Sequence, residues 1–203
     1  MATRFRLLIL FAHPAIQKSR INHRLAKAAR AVDGVSFHDL YEAYPDFDID
    51  VPREQALLLE HDIVVLQHPF YWYSCPALMK EWLDLVLEYG FAYGRGGDKL
   101  RGKTVLSALT TGGPENAYGR EGLNHFTMRE LLAPFEQTAR LCGMNYLPPF
   151  IVHGSIRLVD AAELDRHAND YARVLAALRD GKINAARLAN VPRLNSDLSA
   201  VGL

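Results

Sequence analysis

Cysteine is nearly absent from this chain. The two that occur, Cys75 and Cys142, have no CxxC or CxxH partner, which excludes a disulfide framework and a zinc site. Both are expected as buried free thiols. A surplus of either charge is absent too, since 23 Lys and Arg balance 23 Asp and Glu. Without a basic excess there is no counterion-release grip on a phosphate backbone, so nucleic acid is not expected as a partner. The N-terminal apolar run is only Leu7 to Ala12 before His13-Pro14, too short for a signal peptide or a membrane span. A cytoplasmic location is the expectation. No GxGxxG follows that run, which argues against a Rossmann dinucleotide grip, and a P-loop with its nucleoside triphosphate chemistry is set aside as well. Internal repeats and low-complexity blocks are not seen.

What is present suits one globular domain with a sizeable core, at 49% hydrophobic and 23% charged residues. Short apolar runs bounded by breakers, Arg6 to Ala12, Asp62 to Leu66 and Lys103 to Leu109, read as strands buried on both faces. Val35 to Asp39 is a further short strand. Asn145 to His153, interrupted by Pro148-Pro149, reads as an edge strand. Helical patterns alternate with them. One starts near Ser19 with Ile21, Leu25, Ala28 and Val32 on one face and ends at Asp33-Gly34; another runs from Pro52 to about Glu60. A third follows Pro76, with Leu78, Trp82, Leu85 and Tyr89 facing inward and Gly90 stopping it. The fourth spans Pro134 to Cys142, with Gly143 as C-cap, and the last follows Asp160 and carries Leu164, Tyr171, Leu175 and Leu178. Tyr41 to Asp50 reads as an irregular loop in which Asp46, Asp48 and Asp50 serve turns and caps. Thr127 and Glu130 form a capping box on a turn that Pro134 ends. Five strands alternating with about five helices give an α/β, doubly wound parallel sheet of order 2-1-3-4-5. The domain spans residues 1–182, and residues 183–203, which lack a period and contain Pro192, are expected outside the core as an arm or tail.

In that order three turns meet at the carboxyl edge of the sheet: His13 to Asn22, Pro69 to Cys75, and Thr110 to Pro114. Ser19, Arg20, Ile21 and Asn22 put a hydroxyl, successive N–H groups and an amide at a helix N-terminus, which favours an anion such as phosphate. The bland alternative makes Ser19 a plain N-cap and Asn22 a solvated first-turn residue. Phe70, Tyr71, Trp72 and Tyr73 are four consecutive aromatics in a turn. Either something flat lies on them, or they cap the core or fill a dimer interface. Thr110, Thr111, Gly112 and Gly113 let backbone come close to a ligand. Taken together, the three turns have the shape of a flavin mononucleotide site. His13 and His68 both end strands before a proline, but no third ligand is fixed beside them, so no metal is expected. Trp82, in phase with Leu78, is assigned to packing.

The stretches Tyr44 to Asp50, Gln67 to Pro76, Lys80 to Asp84, Phe91 to Gly94, Thr110 to Gly113 and Leu147 to Phe150 carry a resemblance across roughly residues 5–180. The chain resembles the flavodoxin-like NAD(P)H quinone oxidoreductase family of DT-diaphorase type. Within it, the chain is most similar to the ancillary proteins of glutathione-regulated potassium-efflux systems. The resemblance implies FMN, with FAD left open, held by His13, by Ser19 to Asn22 at the phosphate, by Phe70 to Tyr73 along the ring, and by Thr110 to Gly113. It implies NADPH or NADH as electron donor, a quinone or similar electrophile as acceptor, and a homodimer with its active site at the interface. It also implies an antiporter partner at the cytoplasmic face of the inner membrane. Tyr118 falls where the family's catalytic tyrosine is found. The family's histidine falls on Asn124, with His125 one place further on, so no proton relay carries over at that spot. Two function classes stay open: a two-electron, ping-pong quinone reductase, and a regulatory subunit of the antiporter that uses flavin as structure or sensor.

Overall fold

Strands form where apolar runs are covered on both sides. In the computed structural model, which describes residues 4–183, 188, 191–196, 198, 199 and 203, β1 (Leu7–Phe11) and β3 (Ile63–Pro69) are buried at every position. In β4 (Thr104–Thr110) only the first residue is partly open. The three pair in parallel, Leu7 opposite Ile63 and Ile63 opposite Thr104, and β2 (Val35–Asp39) lies outside β1. The order β2-β1-β3-β4-β5 is the one expected, but the sheet has six strands. Pro148 and Pro149 have no N–H for the ladder. The last strand therefore splits into β5 (Asn145–Tyr146) and β6 (Phe150–Val152), both paired with β4.

Alternation along β1 sends successive side chains to two cores. Leu7, Ile9 and Phe11 pack with α1 (Arg20–Arg30) and α7 (Ala161–Arg179) through Ile21, Leu25, Tyr171 and Leu175. Leu8 and Leu10 share the opposite core with Leu58 of α3 (Val51–Glu60), Leu78 and Trp82 of α4 (Ala77–Val86), and Phe135 of α6 (Ala133–Leu141). Among the described residues no helix is long and apolar enough to cross a membrane.

Several elements depart from the sequence reading for local reasons. β3 runs on to Pro69 because its polar end is partnered inside: the Tyr171 hydroxyl donates to Gln67 Oε1 at 3.0 Å. His68 Nδ1 donates to the Pro69 carbonyl at 3.0 Å, and burial pushes the imidazole pKa down to about 4, leaving it neutral against the Phe135 ring. Tyr41 to Asp50 is not wholly irregular, since the Asp39 carboxylate caps a short helix, α2 (Leu40–Ala43). The third helix buries Leu78, Met79, Trp82 and Val86, which leaves Leu85 off its inner face, and it stops at Val86, short of Tyr89; both are exposed instead of buried, and the Tyr89 ring lies over Gly94. The Thr127–Glu130 box caps α5 (Met128–Leu131), as expected. Cys142 is buried, but Cys75 only partly so.

Gly97-Asp-Lys-Leu-Arg-Gly-Lys-Thr104 does meet the GxxxxGK[ST] spacing, so a P-loop cannot be set aside for want of the motif. In the fold it leads into β4 instead of joining a strand to a helix, and the Lys103 ammonium donates to the carbonyls of Leu59 (3.3 Å) and His61 (2.6 Å). The expected arm also turns partly inward. Leu188 and Leu194 are buried against the core beside α7, and the Leu194 N–H donates to the Pro149 carbonyl at 2.8 Å. The Asn195 amide accepts from the Ile151 N–H at 3.0 Å and donates to the Ile151 carbonyl at 2.8 Å. Arg193 forms a two-pronged ion pair with Glu115. Residues 184–187, 189, 190, 197 and 200–202 lie outside the described residues.

Glu54, on α3, is fully buried and ties that side of the molecule together. Its Oε1 accepts from the Tyr44 hydroxyl at 2.5 Å and from His38 Nε2 at 2.9 Å, and its Oε2 accepts from the Trp82 indole N–H at 2.8 Å. Burial alone would raise the carboxyl pKa, but these three donors together hold it below the usual value. Glu54→Gln puts an NH2 group where three donors converge and should cost roughly 2–3 kcal/mol in urea unfolding near neutral pH. The sign with pH follows from the lowered pKa. Stability from Glu54 is complete above the unfolded-chain value near ~4.3 and is lost as acid carries the pH down through the folded value. The gap between parent and Glu54→Gln should therefore narrow in acid, and a constant gap would show that the carboxylate charge is not the stabilising feature.

Candidate functional site

A crevice of about 610 Å³ opens beyond the carboxyl ends of β1, β3 and β4, where all three predicted turns meet. Its first wall is the start of α1. The Ser19 hydroxyl caps that helix, accepting from the Asn22 N–H at 3.3 Å. Asn22 is not solvated: it is 2% exposed, and its Nδ2 donates to Ser19 Oγ at 3.0 Å and to Thr110 Oγ1 at 2.8 Å. Both amide hydrogens are thus used, and the one given to Thr110 joins the first turn to the third. Asn22 Oδ1 is buried without a protein partner. The unpaired N–H groups of the first helical turn face the same space, joined there by the cations Lys18 and Arg20. Ile21 could take part only through its backbone N–H, because its side chain is in the core at 1% exposure. His13 Nδ1 accepts from the Ala15 N–H at 3.1 Å. Accepting there leaves Nδ1 without a proton, so the ring is neutral and carries its proton on Nε2; burial lowers its pKa in the same sense.

The second wall is the aromatic turn. The Phe70 N–H donates to the Thr110 carbonyl at 2.8 Å and its ring is buried, so this one of the four rings caps the core. The next three do not. Trp72 (φ 51°) and Tyr73 (φ 63°) are consecutive left-handed residues, closed by a Ser74 N–H to Tyr71 carbonyl bond of 2.9 Å. That two-residue turn with both central φ positive normally takes Asn-Gly. Bulky side chains there cost on the order of 1–3 kcal/mol each and persist only where the surroundings impose them. The result holds Trp72 92% exposed at the crevice mouth, with Tyr71 edge-on to His13 at 6.2 Å.

The third wall follows β4. Thr110 and Gly112 line the crevice; a Cβ added to Gly112 would come 2.9 Å from Ile156 Cδ1, so glycine keeps that wall open. Thr111 is buried behind it, its hydroxyl 2.9 Å from the Gly113 carbonyl and 3.0 Å from His153 Nδ1. A Cβ on Gly113 would lie 3.3 Å from the Tyr118 hydroxyl. The Tyr118 ring stands between Phe70 (centroids 6.5 Å apart) and His153 (5.4 Å). Asn124 serves as a clip, its Oδ1 accepting from the Tyr73 hydroxyl at 3.0 Å, and His125 is left-handed at φ 57°. Lys18, His153, Ser155 and Ile156 were not singled out in the sequence. The last three follow β6, and no local pattern shows that this strand's end returns to the crevice.

An orphaned acceptor, a helix N-terminus flanked by two cations, a neutral imidazole donor and an open glycine wall fit a planar ligand bearing hydroxyls and a phosphate. The donor set suits flavin mononucleotide. A family model described as a flavodoxin-like fold matches residues 6–175. The glutathione-regulated potassium-efflux system ancillary protein KefG of Escherichia coli (strain K12 / DH10B) is 52% identical over 171 residues, 84% of this chain and 92% of the relative. Among solved structures, general stress protein 14 of Treponema denticola, in complex with FMN, is 41% identical with a TM-score of 0.80, over 85% of this chain and 99% of that one. An NADPH-quinone reductase from P. pentosaceus is 34% identical with a TM-score of 0.75, over 83% and 96%.

Asn22→Ala removes the amide that joins two walls and should lower stability by about 1–2 kcal/mol. Urea unfolding of the ligand-free protein measures it, and an unmoved midpoint would mean that Asn22 does not tie the crevice walls together.

Proposed function

The chain belongs to the flavodoxin-like fold family, and from that premise we propose that it is an FMN-dependent NAD(P)H:quinone oxidoreductase. The observation that carries this reading is the strained aromatic turn, whose left-handed backbone at Trp72 and Tyr73 sets Trp72 at the mouth of a crevice suited to a flat, phosphorylated ligand. The 41% identical relative solved with FMN favours that cofactor over FAD, and the NADPH-quinone reductase favours a nicotinamide donor and a quinone acceptor.

Bound FMN would supply a two-electron carrier that takes hydride from NADPH or NADH and passes it to a quinone in alternate half-reactions. The chain's part is to bind, orient and exclude water. Ser19, the first-turn N–H groups, Lys18 and Arg20 would hold the phosphate. Asn22 Oδ1 would accept from a hydroxyl of the ligand, and His13 Nε2–H would donate to it. Tyr71 and Trp72 would wall one edge of the ring, with the backbone at Thr110 and Gly112 along another. Tyr118 would donate its phenol proton in a hydrogen bond to negative charge developing in the crevice.

Exposed Trp72, Tyr73, Leu123 and Phe126 support a homodimer in which a second copy covers the crevice mouth. The 52% identity to an efflux-system ancillary protein favours a role beside catalysis as the ancillary protein of a potassium-efflux antiporter at the membrane's cytoplasmic face. A purely regulatory reading, with flavin as structure or sensor, draws on Asn124, which clips a loop where the resemblance has a histidine. Antiporter activation and turnover assayed on one flavin-free variant separate the two.

The purified protein should be yellow and release one FMN per chain on denaturation; a colourless protein that takes up no added FMN overturns the reading. Tyr118→Phe should retain its flavin yet reduce quinone roughly 10–100-fold more slowly, short of the largest losses at strong oxyanion donors. Equal stopped-flow rates in both half-reactions would remove Tyr118 from the mechanism.

A further inference from the structure

His153 enters from a part of the chain that neither the resemblance nor the motifs mark, yet it lies against Tyr118. Its ring centroid is 5.4 Å from that of Tyr118 with the planes 38° apart, and Phe70 closes the other side at 6.5 Å. The imidazole is anchored from behind by Thr111, which is itself fully buried. The hydrogens there can be counted. The Thr111 hydroxyl has one proton and lies within bonding distance of two groups, the Gly113 carbonyl at 2.9 Å and His153 Nδ1 at 3.0 Å. A carbonyl only accepts, so both contacts are satisfied only when Thr111 donates to Gly113 and His153 Nδ1–H donates to Thr111.

We infer that His153 is a positioning residue for Tyr118: locked as the Nδ1–H tautomer by Thr111, its ring fixes the Tyr118 ring, and so the aim of the phenol, at the crevice. This rests on the flavin-reductase reading for its purpose but not for its geometry. The charged groups acting on His153 are Arg193 and Glu115, which are paired with each other. Burial first and Arg193 second push the imidazole down to about 4, against Glu115, so it remains neutral and its tautomer persists through the neutral range.

The first test needs no flavin. Long-range proton–nitrogen NMR on the ligand-free protein should show His153 protonated at Nδ1 and bare at Nε2 from pH 6 to 8, and Thr111→Val should release it to a tautomer mixture. A parent protein carrying the proton on Nε2 overturns the inference. His153→Ala should also raise the Tyr118 ring-flip rate by about tenfold or more, as packing on one side is lost; an unchanged rate counts against it. The second test is a double-mutant cycle in the flavin-loaded protein. His153→Ala should lower kcat by roughly fivefold with flavin affinity retained, and by less than about twofold in the Tyr118→Phe background, where there is no hydroxyl to aim. Equal losses in both backgrounds overturn the inference. His153→Phe keeps a ring but not its anchor and should lie between the parent and His153→Ala. A colourless protein with the expected tautomer and ring-flip change would sink the reductase reading alone.

Discussion

The seating of α4 depends on one carboxylate without solvent. Glu54 gathers a histidine from β2, a tyrosine just after α2 and the indole of α4 onto the two oxygens of a single α3 side chain. An acceptor-only group that receives three donors in a dry interior is specific in direction as well as strong, because moving any one of those elements leaves a buried donor unpaired. Its effect reaches the crevice through the chain itself. Pro76 is the N-cap of α4 and directly follows the aromatic turn, so the helix that Trp82 anchors is also the base from which Tyr71 to Ser74 project.

The crevice shows the opposite balance, with local preferences overridden. Two aromatic residues occupy backbone that glycine and asparagine favour, a buried amide leaves an acceptor unpaired, and a glycine stands where any Cβ would run into Ile156. Each departure costs stability, and each widens or equips the same space. Such departures gathered in one crevice are what a binding site looks like before its ligand is considered. The Asn22 bridge to Thr110 limits that cost by tying the first and third walls together with neutral hydrogen bonds.

The sheet was legible because its central strands are short apolar runs separated by breakers, and the order of the strands follows from alternation with helices. Polar residues inside elements were what misled. Gln67 and His68 look like the end of a strand, and only partners distant in sequence or packed in three dimensions, Tyr171 and Phe135, let them remain inside it. Glu54 sits in a helix whose sequence gives no sign that His38, Tyr44 and Trp82 meet there. At the site, turns adjacent to strong strands were found from their residue types. His153, Ser155 and Ile156 were not, since their place depends on β6 returning beside β4, and Leu194 was missed because a single buried residue in an aperiodic stretch leaves no pattern.

The Asn195 side chain carries a consequence for how the molecule behaves in a crowded solution. In a parallel ladder alternate residues direct their N–H and C=O to opposite edges, so while Val152 serves β4, Ile151 points its pair outward. Asn195 occupies both of those outward groups with one side-chain amide, as a neighbouring strand would, while the Leu194 N–H takes the Pro149 carbonyl on the same segment. A side chain used in this way ends the sheet chemically. It denies incoming chains the template on which edge-to-edge aggregation begins, at the place where two prolines already keep the strand short.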